Sequence, residues 1–315
     1  MIETLQSLRF IFMMMIFMSH FAYRDIRAFD AGGDCGVVFF FLLSGFVCSL
    51  GYGSKITSGA FRYVTFLWKR LKKLYPLHLF CLLFYVLVSR APLDGKVLLN
   101  ALLLQSWVPD MDYYFACNSV SWFLSSLLFC YVMFPLLYRW LSWQLTIVMA
   151  MACVAVYWLT PADSINAILY VNPLVRLIDF YWGMLLCHYF LQRKDASCGR
   201  WLEIVLVIVL ILFLAAYPFA DEKLRNAPLY WLALIPLIWV FAQQRGSVSC
   251  WLKTKPLLFL GSLTMPIFLT HQLLIGILLR RLPELPAVPM LAVCIFVVLM
   301  ISWTIQIIFS RLLRL

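Results

Sequence analysis

Two ionisable side chains, Arg9 and His20, interrupt the first membrane-length apolar run of the chain. This run extends from Leu5 to Tyr23 and reads LQSLRFIFMMMIFMSHFAY. Ionisable groups at membrane depth are costly, so they are candidates for function. A guanidinium binds phosphate in a fork, and a neutral imidazole takes a proton from a hydroxyl. The pair therefore suits an enzyme that handles a long charged cofactor.

The spacing of these two side chains predicts that they share one helix face. Eleven helical steps return to within roughly 20° of the starting direction and rise by about 16 Å. We therefore expect Arg9 and His20 to face a common polar chamber. The alternatives are that the arginine reaches to the headgroups and that the histidine only bonds a neighbouring carbonyl.

Composition indicates an all-α, polytopic membrane protein. Of the 315 residues, 64% are hydrophobic and 12% are charged, and no soluble core needs so much apolar sequence. We expect one membrane domain over 1–315, without an appended soluble catalytic domain. The stretch 97–105 is too short to cross and is expected at the interface or dipping into the protein. Ten membrane spans are predicted, at about 5–23, 36–52, 74–90, 119–138, 143–160, 174–191, 201–219, 228–243, 257–279 and 290–310.

The net charge of +11 is explained better by membrane topology than by nucleic-acid binding. The basic residues lie between hydrophobic runs, with an excess in the loops on one side. This bias predicts that both termini are cytoplasmic and that the first run is an uncleaved span. The ten cysteines include no C-x-x-C pair, so no metal site is expected. A disulfide between Cys35 and Cys117 in outer loops is an open alternative.

Five blocks along the chain form an ordered pattern. They are Arg9 with His20 and then GVVFFFLLSGF at 36–46, KRLKKLYP at 69–76, Trp122 through Tyr131 to Pro135, NPLVRLIDFYWG at 172–183, and Gly261 to His271. Together these blocks resemble the membrane-bound acyltransferase-3 family of bacterial polysaccharide and lipid-glycan O-acetyltransferases. The resemblance spans nearly the whole chain.

The resemblance implies transfer of an acetyl group from acetyl-CoA to a hydroxyl of a cell-surface or lipid-linked carbohydrate. The enzyme would transfer groups other than amino-acyl groups and would lie in the bacterial cytoplasmic (inner) membrane as a multi-pass protein. Its partners would be acyl-CoA, a carbohydrate acceptor and membrane lipids, with no nucleic acid and no tightly bound cofactor.

The blocks and the chemistry of their side chains together define the candidate site. His20 would act as general base or as a transient acyl carrier, close to Arg9. The candidate donor-binding residues are Arg70, Lys73, Tyr75 and Arg176. The candidates for the substrate cavity are Ser44, Asp34, Trp122, Asp179 and His271.

Two positions depart from the family pattern. The family usually has an Asp where Val38 stands, and Asp34 is the available substitute. It often has a Glu where Leu127 and Leu128 stand, so no carboxylate role is carried over to that place.

Several candidates also have purely structural interpretations. The small pair at Ser44 and Gly45 is typical of a packing notch between helices. Arg176 and Asp179 lie three residues apart, so they can pair on one helix face. The basic run 62–73 can meet anionic headgroups.

Two other functions compete with O-acetyl transfer. A transporter or flippase could use the intramembrane Arg, Asp and His residues as a pathway for a polar solute or glycan. An enzyme of the same fold could move another acyl group, such as succinyl.

Overall fold

The structure is a computed structural model that describes residues 2–21, 32–193, 200–216, 219–225 and 229–313. Within these ranges it consists of helices and connecting segments, with no strand. The helices are α1 (Glu3–Ser19), α2 (Gly33–Thr57), α3 (Tyr63–Ser89), α4 (Gly95–Ala101), α5 (Met111–Tyr114), α6 (Trp122–Arg139), α7 (Trp143–Leu159), α8 (Pro173–Gln192), α9 (Trp201–Ala216), α10 (Glu222–Arg225), α11 (Leu229–Ala242), α12 (Ser247–Leu252), α13 (Lys255–Ser262), α14 (Thr264–Arg281) and α15 (Ala287–Leu313).

The predicted multi-pass helical architecture is confirmed, but not the number of spans. Five helices among the described residues are long and apolar enough to cross a membrane: α2, α3, α6 with its preceding turn, α8 and α15. The pair α13 and α14, bent by 61°, is a sixth candidate. Helices α7, α9 and α11 are apolar but shorter. Each predicted run coincides with a helix or a bent pair, whereas ten crossings and cytoplasmic termini stay predictions.

Helices α2 and α8 approach each other closely at two glycines. A Cβ at Gly45 would lie 1.9 Å from the carbonyl oxygen of Phe180, and a Cβ at Gly183 would lie 1.9 Å from that of Leu42. No larger side chain fits at such distances without moving a backbone. The packing-notch interpretation of Gly45 is therefore confirmed.

The start of α1 is fixed by hydrogen bonds to distant segments. The Thr4 hydroxyl donates to the carbonyl oxygen of Phe241 at 2.5 Å, and the Ser7 hydroxyl donates to that of Leu252 at 2.5 Å. Both acceptors lie at the ends of their helices, where carbonyls lack intrahelical partners. These bonds set the position of the first part of α1, which carries Arg9.

The segment 97–105 buries two polar side chains and exposes Leu98, Leu102 and Leu104, so its position at the interface or within the protein stays a prediction. Asn100 and Gln105 are fully buried. The His78 Nε2 lies 2.8 Å from the Asn100 carbonyl oxygen, and the Ser121 hydroxyl donates to Asn100 Oδ1 at 2.8 Å. Irregular backbone at membrane depth needs such internal partners. The segment thereby connects α3 to the start of α6.

The alternative of a disulfide between Cys35 and Cys117 is wrong. Cys35 is not in a loop, because α2 begins at Gly33 and buries this side chain. Both cysteines are free thiols. Burial raises the pKa of the Cys117 thiol to about 11, so the thiol stays protonated at neutral pH.

Candidate active site

A cavity of about 270 Å³ lies between α1, α2, α3, α6 and α14. Its wall is mostly apolar, and three cationic side chains line it: Arg9 from α1, and Arg70 and Lys73 from α3. Lys73, Val47 and Leu50 are exposed, so the cavity opens to the exterior along these residues. The chain therefore brings together three predicted site residues that are up to 64 positions apart.

Arg70 is held among three aromatic rings. Its guanidinium carbon lies 5.4 Å from the centroid of the Tyr52 ring, 5.3 Å from that of Phe66 and 5.3 Å from that of Tyr131. Its Nη2 also lies 3.5 Å from the Cys48 sulfur. The rings attract the cation and restrict its orientation without neutralising its charge.

Among the described residues, the cavity has no compensating carboxylate. No described Asp or Glu is among its lining residues. In the part of the chain that the structure describes, the ion pairs are Lys96 with Asp112 and Arg176 with Asp179, and both lie elsewhere. Cations gathered in a mainly apolar wall without counter-charges are unfavourable unless an anion binds. The arrangement is therefore suited to an anionic ligand with an apolar portion.

Polar groups near Arg9 complete this part of the wall. Arg9 Nη1 donates to Gln6 Oε1 at 3.3 Å, which leaves most of its donors for another partner. Ser44 lines the cavity from α2, as does Tyr131 from α6. Ser44 is thus at the cavity, as the sequence predicted.

His20 forms a pair with the second predicted histidine. Its Nδ1 lies 2.8 Å from the Ile16 carbonyl oxygen and 3.3 Å from His271 Nε2. The two rings meet edge to face, with centroids 5.0 Å apart. His20 ends α1 and His271 lies inside α14, so the two helices bring these residues together across 251 positions.

The expectation that Arg9 and His20 line one chamber is met only for Arg9. Neither His20 nor His271 is among the lining residues of the cavity. Phe268 and Phe123 line it, with ring centroids 5.1 Å apart, and the Phe268 ring lies 6.2 Å from that of His271. Phe268 thus belongs to the cavity wall and also contacts His271.

Arg176 and Asp179 lie apart from this cavity, in an ion pair on α8. Arg176 Nη1 is 2.9 Å from Asp179 Oδ2, and the Trp231 indole donates to Asp179 Oδ1 at 2.8 Å. Arg176 also donates to the Leu169 carbonyl oxygen. The small cavity beside the pair holds about 20 Å³, enough for roughly one water. The predicted i, i+3 pairing is confirmed. Arg176 does not line the cavity that contains Arg9, Arg70 and Lys73.

Three further candidates also lie outside the cavity lining. The Tyr75 hydroxyl donates to the Ala101 carbonyl oxygen at 2.6 Å, which fixes the segment 97–105 to α3. Trp122 is buried, with its ring centroid 4.7 Å from that of Tyr170. Asp34 is in the first turn of α2, beside the end of α1 that carries His20.

Sequence reasoning missed the aromatic surroundings of the site. Tyr52 and Phe66 were not singled out, although both contact Arg70, and neither were Phe123 and Phe268. In a chain with 26 phenylalanines and 15 tyrosines, no signal separates these rings from lipid-facing ones. Only the packing of the helices distinguishes them.

Comparison with known proteins identifies the family of the chain. The acyltransferase-3 model, described as an acyltransferase domain, matches residues 2–308. The chain is also 30% identical over 184 residues to a protein named acyltransferase MdmB from Streptomyces mycarofaciens, covering 49% of this chain and 46% of that protein. It thus spans about half the length of this curated relative. No solved structure gives a significant match. Since the family match covers nearly the whole chain, this protein belongs to the acyltransferase-3 family.

Proposed function

We propose that this chain is a membrane O-acyltransferase that transfers an acetyl group from acetyl-CoA to a hydroxyl of a cell-surface or lipid-linked carbohydrate. The observation that carries this proposal is the cavity in which the described part of an acyltransferase-3 chain places three cations and no carboxylate. The donor and the carbohydrate class come from the family resemblance.

The chemistry of the donor matches the cavity wall. Coenzyme A carries a diphosphate and a ribose phosphate, and Arg9 and Arg70 offer forked donors for phosphate oxygens. The exposed Lys73 adds a point charge. The apolar remainder of the wall suits the extended arm that ends in the thioester. Along α1 the rise from Arg9 to His20 is about 16 Å, which is of the order of that arm.

The proposed reaction is a direct acyl transfer assisted by His20. The imidazole takes the proton of the acceptor hydroxyl while the oxygen attacks the thioester carbonyl carbon. The carbon–sulfur bond then breaks, and the imidazolium returns the proton to the leaving thiolate. The products are an O-acetyl ester and coenzyme A. The variant in which His20 first carries the acyl group gives the same products through an acyl-imidazole.

The proposed location is the bacterial cytoplasmic (inner) membrane. Such an enzyme would meet acyl-CoA from the cytoplasmic side, which is where the loop charges predict that α1 begins. The acceptor would approach from the opposite side of the membrane, toward the histidine pair.

Mass analysis of surface and lipid-linked glycans tests the proposal. Cells that produce the native chain should show glycans heavier by acetyl groups, and cells with His20→Gln should not. A general base contributes about 10²- to 10⁴-fold to rate, so residual acetylation should fall by at least about a hundredfold. His188→Gln is the matched control, because His188 bonds Gln192 on its own helix and should keep full activity.

The alternatives give different masses. A mass increment other than that of acetyl would show that another acyl group, such as succinyl, is transferred. Glycans that are unmodified but missing from the surface would favour transport. Unchanged acetylation in His20→Gln would remove His20 from the chemistry.

A further inference from the structure

The second histidine of the pair has no assigned role in the acyl transfer described above. His271 is fully buried in α14, and the rings of Phe17 and Phe268 lie about 6 Å from its own. Its Nε2 faces His20 Nδ1 at 3.3 Å. A buried histidine needs partners for both ring nitrogens, so its hydrogen bonds indicate where the protons are.

The backbone of α14 decides the protonation of His271. Its Nδ1 lies 2.8 Å from the Phe268 carbonyl oxygen and 3.0 Å from that of Ile267. A carbonyl only accepts, so Nδ1 carries the hydrogen and Nε2 carries the lone pair. His271 therefore presents an acceptor to His20.

The same reasoning applies to His20. Its Nδ1 lies 2.8 Å from the Ile16 carbonyl oxygen, which favours a hydrogen on Nδ1. That hydrogen is shared with the lone pair of His271 Nε2. In this tautomer the lone pair of the neutral His20 is on Nε2. The two rings form a hydrogen-bond chain with one direction, from His20 toward α14.

We propose that His271 is a positioning residue that, together with the Ile16 carbonyl, holds His20 in the tautomer with the proton on Nδ1 and the basic lone pair on Nε2. This rests on the proposed role of His20 as the base. When His20 takes the acceptor proton, both of its nitrogens carry hydrogens, and His271 Nε2 accepts from the charged ring. A second proton on His271 would set two N–H groups against each other, so the pair holds at most one extra proton.

Substitutions at position 271 separate positioning from packing. His271→Leu removes the acceptor and should lower kcat by about 10- to 100-fold, part of the 10²- to 10⁴-fold that a general base supplies. The KM for acetyl-CoA should change by less than about twofold, because His271 is outside the cation-lined cavity. His271→Gln can place an amide oxygen near the position of Nε2 and should recover at least about tenfold of the loss. Equal loss in both variants would overturn the proposal.

Nitrogen NMR of the full-length protein in nanodiscs tests the tautomer without relying on activity. The chain has four histidines, so ¹⁵N-imidazole labelling gives few signals, and His20→Gln identifies that of His20. The native protein should show a protonated Nδ1 and an unprotonated Nε2 on His20. His271→Leu leaves the Ile16 carbonyl as an acceptor for the Nδ1 hydrogen, so His20 should shift partly toward the other tautomer, whereas His188→Leu should not change it.

The two experiments fail in different ways. If the native His20 signal shows the proton on Nε2, the positioning role falls whatever the activity. If the tautomer is as expected but His20→Gln keeps full activity, the proposed base falls and the positioning role falls with it. If His20 in the His271→Leu variant keeps the same tautomer as in the native protein, the proposal is also contradicted.

Discussion

Neutralising Arg70 should strongly weaken ligand binding while changing the stability of the ligand-free protein little. Its guanidinium lies within about 5.4 Å of three ring centroids, and each contact is worth about 0.5–1 kcal/mol. Burying part of the Arg70 charge without a partner carboxylate costs a similar amount of free energy. We therefore expect the free energy of unfolding of ligand-free Arg70→Gln to change by less than roughly 1 kcal/mol.

The same substitution should strongly weaken donor binding. A hydrogen bond to a charged group contributes about 1.5–3 kcal/mol, so the Kd for acetyl-CoA should rise by about 10- to 150-fold. At a donor concentration 100 times the native Kd, binding stabilises the native protein by about 2.7 kcal/mol. With a Kd raised about 100-fold, the same concentration stabilises the variant by only about 0.4 kcal/mol.

Thermal unfolding of the detergent-solubilised protein, with and without acetyl-CoA, measures both quantities. Lys69→Gln is the matched control, since this neighbouring lysine is exposed and does not line the cavity. Lys73→Gln is a second test at an exposed lining position and should also weaken binding. If acetyl-CoA stabilises Arg70→Gln and Lys73→Gln as much as the native protein, the cavity is not the phosphate site.

Three other predictions concern the scaffold. Gly45→Ala should destabilise the protein by about 1–3 kcal/mol through a clash with the backbone of α8, whereas Gly51→Ala, which meets nothing within 4 Å, should not; equal thermal shifts would contradict this. Arg176→Met should lower the free energy of unfolding by about 3–5 kcal/mol, because it leaves Asp179 buried without its cation. The KM for acetyl-CoA should not change. A raised KM with unchanged stability would indicate that Arg176 binds the donor. Exposed Cys250 should react with an impermeant maleimide only after cells are permeabilised, and labelling of intact cells would reverse the predicted orientation.

Local features of the fold followed from the sequence. The apolar runs predict helices because backbone polar groups in lipid must be satisfied within the segment. The three-residue spacing of Arg176 and Asp179 predicted their ion pair, and Gly45 predicted a close helix contact. Each of these depends on neighbouring residues or on one helix face.

The lateral arrangement of the helices did not follow from the sequence. His20 and His271 are 251 positions apart, and no pattern in either helix indicates that they touch. The face shared by Arg9 and His20 was expected to line one chamber, but α14 places Phe268 beside the histidine pair. Helix periodicity predicts a face, whereas the neighbour that covers it depends on the packing of the whole bundle.

A structure determined with a non-hydrolysable acetyl-CoA analogue tests the central claim most directly. The account predicts phosphate oxygens about 2.7–2.9 Å from the side-chain nitrogens of Arg9, Arg70 or Lys73, with the acyl end directed past Phe268 toward His20. An analogue bound at another site, with the cation-lined cavity empty, would contradict it.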